Sequence, residues 1–381
     1  VSRHLLVTND FPPKVGGIQS YLWELWSRLD PESFVVLTAS SHPDAAAFDA
    51  EQAARGIRIE RVPGQILFFP TPAARARIRS LADEVGASLV LLDPALPLGL
   101  LGPRLGLPYG VVLHGAEVTV PGRVPGTRQA LARVLAGAAV AVSAGGYPAA
   151  EAARAAGPAM PPVVPVPPGV DCGRFVPLDD DARRQARQRL GLPVDGPLVA
   201  SVSRLVPRKG MDVLVEAARR LVPSFPDLVV AVGGTGREAG RLADQVAETG
   251  APVRLLGRIS EDDKAGLLGA ADAFVMACRS RWSGLEQEGF GIVFLEAAAA
   301  GVPQVAGASG GAAEAVEDGV TGFVVARPDD PAAVAAALRR LLADDDLRRQ
   351  MGRAARARAE ASFDYDRLAP RLAGALAEVQ G

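Results

Sequence analysis

Short apolar runs alternate with amphipathic stretches along the whole chain. Nearly continuous apolar residues at 4–8, 35–39, 58–62, 88–93, 110–114 and 140–143 predict buried strands. A second series follows at 198–203, 228–233, 253–257, 273–277, 304–306 and 323–325. Between them lie helical patterns. Ile18, Tyr21, Leu22, Leu25, Trp26 and Leu29 recur at i, i+3, i+4 spacing, one face of a helix, and Val213, Ala217, Leu221 and Ala333, Ala337, Leu341 do the same. Residues 363–380 carry a last amphipathic pattern. Strands with no polar face, each followed by a helix, predict parallel sheets covered on both sides. The Pro-rich stretch 161–169 parts the two series; it cannot be helical and reads as an extended interdomain segment. The pattern predicts two doubly wound α/β domains of similar size. Ligands of such sheets bind beyond the carboxyl ends of the strands, in a cleft between facing sheet edges.

The length of 381 residues suits two domains, and 49% hydrophobic with 22% charged residues is a globular composition. A formal charge of -2, with neither half far from neutral, argues against a nucleic-acid binder. Cys172 and Cys278 form no C-x-x-C and no disulfide framework, which fits a reducing, cytoplasmic setting. The opening residues lack the apolar core of a secretory signal, and no apolar run approaches the roughly 20 residues of a membrane span. Only three of the 41 basic residues are lysines: Lys14, Lys209 and Lys264. In so arginine-biased a chain each retained lysine is a candidate for a place where arginine does not substitute.

Four places carry candidate chemistry. After the first strand, the loop through Lys14 to Gly16-Gly17 opens a helix whose free N–H groups suit a phosphate; a plain strand–loop–helix turn explains the same spacing. After the strand ending near Ser203, Arg204, Arg208 and Lys209 stand where a ligand is expected. Arg204 and Lys209 suit a diphosphate without a metal, although a basic loop is also an ordinary solvated surface. Glu288 and Glu296 flank a loop and an apolar helix, with Glu288 just before its start and Glu296 two turns inside. A carboxylate there needs a polar partner: ribose hydroxyls for Glu296, or a structural ion pair; for Glu288 a ligand hydroxyl, or simply the helix dipole. His114 closes a strand, a placement as suited to structure as to catalysis. The acidic runs 179–181 and 344–346 read as helix caps rather than metal ligands, and no His/Cys cluster has metal spacing.

Together the motifs resemble the retaining family 4 glycosyltransferases of the GT-B fold over almost the whole chain. The resemblance rests on Glu288-Gly-Phe-Gly-Ile-Val-Phe-Leu-Glu296, Val202-Ser-Arg-Leu-Val-Pro-Arg-Lys-Gly210, Pro167-Pro-Gly-Val-Asp171 and Ala308-Ser-Gly-Gly-Ala-Ala-Glu314. The opening Thr8-Asn-Asp-Phe-Pro-Pro-Lys-Val-Gly-Gly-Ile-Gln-Ser20 and Phe69-Pro-Thr-Pro72 are most similar to the branch of actinobacterial phosphatidylinositol monomannoside mannosyltransferases. One stretch departs: that branch's Arg-Gly-Gly-Gly-Leu is Arg281-Trp-Ser-Gly-Leu285 here.

The resemblance implies an N-terminal acceptor domain, 1–166, joined by the returning segment 363–381, and a donor domain, 167–362. It implies a GDP-mannose donor, no metal cofactor, and a phosphatidylinositol mannoside acceptor reached at an anionic membrane surface. Arg204 and Lys209 would hold the diphosphate with Gly16, Gly17 and the amides of Gly291 and Ile292, and Glu296 the ribose. Glu288, Gly289 and Phe290 would hold sugar hydroxyls, His114 the sugar near its anomeric carbon, and Arg258 the base. The catalytic set implied is His114, Arg204, Lys209 and Glu288. The apolar segment 66–70 followed by Arg75, Arg77 and Arg79 suits an anionic leaflet, or equally a buried strand and a solvated helix face. The expected state is a monomer or weak dimer, peripheral to the inner face of the plasma membrane. Another nucleotide sugar (UDP-glucose or UDP-GlcNAc), a soluble acceptor, or a non-catalytic two-domain binder remain open alternatives.

Overall fold

The computed structural model describes residues 3–64 and 69–380. It divides into two compact units: one runs to Pro168 and takes up the segment from Tyr365 onward, and the other is Gly169–Asp364. Each is built on one fully parallel sheet. The first holds β1 (Arg3–Thr8), β2 (Phe34–Ala39), β3 (Ile59–Val62), β4 (Ala87–Asp93), β5 (Tyr109–Leu113), β6 (Val140–Ser143) and β7 (Val163–Pro165), in the order β3-β2-β1-β4-β5-β6-β7. The second holds β8 (Leu198–Val202), β9 (Val229–Gly233), β10 (Val253–Gly257), β11 (Ala273–Met276), β12 (Gln304–Gly307) and β13 (Gly322–Val325), ordered β10-β9-β8-β11-β12-β13. Both orders reverse direction next to their first strand, at β1/β4 and at β8/β11, the switch points where doubly wound sheets bind ligands.

The apolar pattern explains the layers. In β2 every residue is buried, as expected when helices cover both faces. On one face of the first sheet the helix Gly17–Trp26 buries Tyr21, Leu22, Leu25 and Trp26, and the helix Tyr365–Gln380 adds Leu368, Leu372 and Leu376 to the same core. On the other face Ile78, Leu81, Leu131 and Leu135 pack over Val90, Leu92 and Val111. Each such side chain contributes about 1.5–3 kcal/mol. The acidic runs cap helices: Asp179 accepts from the Ala182 amide at 2.8 Å and Asp344 from that of Leu347 at 2.9 Å. No group of three or more His, Cys, Asp or Glu among the described residues is placed to hold a metal ion.

Three expectations need correction. The Pro-rich stretch 161–169 is not wholly a connector, because Val163–Pro165 pairs with β6 as the sheet's edge strand. Proline is tolerated at an edge, where no ladder partner needs its missing N–H. His114 lies one residue beyond β5 rather than inside it. The helix Ile292–Ala299 puts Glu296 a single turn from its start, not two. The segment 66–70 lies outside the described residues except for Phe69, which is 69% exposed, and Pro70.

Candidate active site

In the second unit, the loops beyond β10, β9, β8, β11 and β12 stand side by side. The Gly234 amide donates to the Gly257 carbonyl at 2.7 Å, and the Leu205 amide to that of Thr235 at 2.9 Å. The Arg279 amide donates to the Arg208 carbonyl at 2.9 Å, and that of Gly311 to the Glu288 carbonyl at 3.0 Å. Two glycines permit this closeness. Gly210 has φ 68°, and a Cβ there would stand 2.1 Å from the Ala277 carbonyl oxygen. Gly310 has φ 51°, and its Cβ would stand 2.1 Å from that of Glu288. Only glycine fits both the left-handed backbone and the contact.

Lys209 and Glu288, 79 residues apart, meet at the centre of these loops. Lys209 Nζ donates to Glu288 Oε2 at 2.6 Å, and both residues are buried. Burial would push the Glu288 carboxyl up, but Lys209 and Arg208 beside it hold it below the usual carboxylate range. The Cys278 thiol lies 3.6 Å from the same oxygen, and burial pushes that thiol up, so it stays protonated. Glu288 Oε1 has no hydrogen-bond partner among the described residues, which leaves an acceptor for a hydroxyl. Arg208 was placed with Arg204 and Lys209 but given no role of its own; its Nε is buried without a hydrogen-bond partner, 3.8 Å from Glu288 Oε2. A buried donor without a hydrogen-bond partner in a cationic loop is suited to an anionic ligand.

Arg204 stands earlier in the same loop, exposed, with no ion pair among the described residues. Arg258, past β10, is exposed likewise and adjoins the Gly257–Gly234 contact. The helix Ile292–Ala299 begins at Gly291 with no side-chain cap; the Phe294 amide donates to the Gly291 carbonyl at 2.9 Å, and those of Ile292 and Val293 precede the first intrahelical bond. Gly289 and Phe290 form the strip between Glu288 and that helix, and Phe290 is anchored on Phe363 at 5.8 Å. Glu296 has found the ion-pair partner that was one of its two readings: Lys264 Nζ donates to its Oε1 at 2.7 Å. Burial raises the Glu296 carboxyl despite Lys264; burial would lower Lys264, and Glu296 more than offsets it. In the departing stretch, Trp282 (φ 49°) and Ser283 (φ 53°) both hold left-handed backbone that glycine takes without strain. Trp282 is 63% exposed, under the Arg281 guanidinium at 4.9 Å.

The first unit gathers a different set. The helix Gly17–Trp26 starts after Gly16 without a side-chain cap, and its first amides likewise precede the first intrahelical bond. His114 lies under a lattice of carboxylates. Its Nε2 is 2.8 Å from Asp93 Oδ1, and since a carboxylate only accepts, Nε2 carries the hydrogen. Thr8 Oγ1 donates to Asp93 Oδ2 at 2.6 Å. Glu117 Oε1 accepts from the amides of His114, at 2.5 Å, and Gly115, at 3.1 Å. Burial would lower His114, but Asp93 raises it above its ordinary value. Burial, then Asp93, raises the Asp10 carboxyl, which accepts from Gln19 Nε2 at 2.6 Å. Asp93, Asp10 and Glu117 were missed. The signal was present, since Asp93 is a carboxylate closing an otherwise apolar strand and Glu117 sits three residues past His114, at capping spacing.

Residues 182–358 match the family model described as glycosyl transferases group 1. The chain is 41% identical, over 98% of its length and 97% of the relative's, to the GDP-mannose-dependent alpha-(1-6)-phosphatidylinositol monomannoside mannosyltransferase of Mycobacterium tuberculosis. It is 36% identical, over 98% and 97%, to the GDP-mannose-dependent monoacylated alpha-(1-6)-phosphatidylinositol monomannoside mannosyltransferase of Corynebacterium glutamicum. Its fold is similar to that of Anabaena Alr3699/HepE, whose crystal structure is in complex with UDP and glucose: TM-score 0.80, 21% identity, 99% of this chain and 100% of that one.

Proposed function

Since the chain belongs to the group 1 glycosyltransferases, a family of GT-B fold, we propose that it transfers mannose from GDP-mannose to a phosphatidylinositol monomannoside, retaining configuration. The observation that carries this is the full-length identity to enzymes of that name, joined to the buried Lys209–Glu288 pair in the strand-end loops.

Cleaving the bond between C1 of mannose and its phosphate oxygen leaves negative charge on the diphosphate. Arg204, Arg208 and Lys209 are the cations for that charge, joined by the amides of Gly291 and Ile292 and by Gly16 and Gly17. Such fixed donors stabilise the transition state with no metal ion. Glu288 Oε1 and the amides of Gly289 and Phe290 hold sugar hydroxyls, Glu296 the ribose, and Arg258 the base. His114, fixed in orientation by Asp93, faces the developing positive charge at the anomeric carbon with its carbonyl or ring. The acceptor hydroxyl forms the new bond to C1, and the departing phosphate takes its proton. Water is excluded best if the loops close on the donor.

No helix among the described residues is long and apolar enough to cross a membrane. We assign a peripheral contact with an anionic leaflet to the edge near residues 69–79, where Phe69, Arg75 and Arg79 are exposed while Arg77 pairs with Glu60 at 3.0 Å. The test is transfer from GDP-mannose, set against UDP-glucose, to phosphatidylinositol monomannoside dispersed in detergent. Mannosylated lipid made only from GDP-mannose supports the reading, and transfer only from UDP-glucose overturns it.

A further inference from the structure

Residues 281–286 of the second unit form a tight hairpin that the steps above do not use. Arg281 and Glu286 exchange backbone hydrogen bonds, amide to carbonyl, at 2.9 and 3.2 Å, and their side chains pair at 2.7 Å. Inside the hairpin the Gly284 amide donates to the Arg281 carbonyl at 3.0 Å, and that of Leu285 to the Trp282 carbonyl at 3.1 Å. Gln287 Nε2 donates to the Gly284 carbonyl at 2.9 Å. Trp282 (φ 49°), Ser283 (φ 53°) and Gly284 (φ 82°) are left-handed in succession. Glycine takes such backbone freely; tryptophan and serine do not. The hairpin's bonds over-determine the conformation, which is how strained residues persist, and such residues cluster at ligand sites.

The strained turn displays an indole. Trp282 is 63% exposed, whereas Trp26 is buried and Trp23 half-buried. The Arg281 guanidinium, 4.9 Å from the ring centroid, braces it. Both roots of the hairpin lie in the candidate site. The Ser280 and Ser309 hydroxyls are 3.2 Å apart, and the Glu288 amide reaches Ser309 Oγ at 3.4 Å. Glu286 stands two residues before Glu288, at most about 7 Å of chain. Arg281 faces Glu286, so the indole is carried one step farther out than the carboxylate assigned to the donor sugar. That position suits the next ring rather than the one Glu288 holds. A base at Arg258 is too far away, because β10 and β11 are three strand spacings apart, about 14 Å. A hydrocarbon chain wants contiguous apolar surface, and here Trp282 and Leu285 stand among an ion pair and an amide side chain. A polyol ring uses both: its C–H face stacks on the indole, and its hydroxyls meet the polar groups.

We infer that Trp282 is an acceptor-binding, specificity-determining residue whose indole stacks on the polyol ring that bears the attacking hydroxyl. The inference rests on the proposed transfer and deepens it, with a contact from the second unit that glycine at this position does not supply.

The experiment pairs steady-state kinetics with tryptophan fluorescence on the full chain, using deacylated phosphatidylinositol monomannoside as a soluble acceptor. Trp282→Ala is expected to raise the acceptor KM roughly ten-fold, with kcat and GDP affinity within about two-fold of wild type. Trp282→Phe keeps a stacking face and is expected to stay within about three-fold. Trp282→Gly/Ser283→Gly restores the branch's glycines; the same rise in KM is expected, with a melting temperature no lower than that of wild type. This variant carries the test should Trp282→Ala fail to fold. With GDP bound, the headgroup is expected to shift the emission of the exposed indole, and Trp282→Phe to abolish that shift. An unchanged acceptor KM in the alanine and glycine variants, a loss of GDP affinity as large as the rise in KM, a rise in KM confined to the intact lipid, or an emission shift that survives Trp282→Phe would each overturn the inference. The fluorescence needs no turnover, so the contact is read even if transfer from GDP-mannose fails and the mannosyltransferase reading falls with it.

Discussion

The two units carry the same strand order and opposite chemistry at their strand ends. In the second, each buried carboxylate is matched with a lysine, Glu288 with Lys209 and Glu296 with Lys264; Arg208 adds a further cation 3.8 Å from Glu286 and from Glu288, and Arg204 and Arg258 have no ion pair among the described residues. In the first, one histidine is surrounded by three carboxylates, Asp10, Asp93 and Glu117. A surplus of cations suits a diphosphate that gains negative charge, and a surplus of carboxylates suits a sugar carbon that gains positive charge. The shared topology explains where the sites lie; only the side chains explain which half takes which charge.

The strongest test of the cationic half is Lys209→Ala. It removes a phosphate cation and leaves Glu288 buried beside Arg208 alone. Turnover is expected to fall by about 10²–10³-fold, with stability reduced by about 3 kcal/mol because a buried pair is broken from one side. Arg204→Ala is expected to cost similarly in kcat with thermal stability unchanged, because Arg204 is exposed and unpaired. Steady-state kinetics beside thermal melts separate the two. If Arg204→Ala leaves kcat intact, the surplus cations do not meet the diphosphate.

Glu296→Gln comes next. A hydrogen bond from a ribose hydroxyl to a carboxylate is worth about 1.5–3 kcal/mol, so GDP affinity by calorimetry is expected to fall at least about ten-fold, while Lys264 retains an amide oxygen. Unchanged GDP affinity would leave Glu296 with a purely structural role.

The carboxylate-rich half is probed by Asp93→Asn. Asp93 raises His114 above its ordinary value of 6.5. The raised group therefore lends stability that is fully present below about pH 6.5 and lost as pH rises through the higher folded-state value. The variant's destabilisation should be greatest in mild acid and shrink with rising pH, and the His114 titration followed by NMR should move down. A fall of roughly ten-fold in kcat, about 1.4 kcal/mol, is expected from the loosened imidazole. An unmoved titration would mean that the Asp93 contact does not govern the ring.

How much of this was legible in the chain differs between the halves for a physical reason. The loops of the second unit bear two local motifs, Ser203 to Gly210 and Glu288 to Glu296, so spacing marked Arg204, Lys209, Glu288 and Glu296 as candidates, and the family resemblance gave them roles. Strand positions were equally plain, because fully buried strands read as unbroken apolar runs. The cluster around His114 draws on the ends of β1, β4 and β5 and the start of the next helix. No local spacing joins Thr8, Asp93 and Glu117; the sheet order does, and that order is a property of the folded chain. Pairing across 79 residues, as between Lys209 and Glu288, was hidden in the same way. The scarcity of lysine was a better guide than the motifs in one respect. Lys264 belongs to no motif, yet it is one of three, and it partners a buried carboxylate.

That scarcity yields the smallest and sharpest comparison, the replacement by arginine of one lysine in each half. Lys209 is enclosed by Glu288, Cys278 and the tight Gly210 turn, a niche shaped for a compact ammonium rather than a planar fork. Lys209→Arg is therefore expected to lower kcat by about ten-fold or more. Lys14 differs: its Nζ donates to the Asn9 carbonyl at 2.9 Å from a half-buried position with no carboxylate partner among the described residues. A guanidinium can make that bond, so Lys14→Arg should change kcat by less than about two-fold and stability by less than about 0.5 kcal/mol. Comparable losses at both positions would mean that the first unit also needs a compact cation beside Gly16 and Gly17. The division of charge between the halves would then be less complete than their side chains suggest.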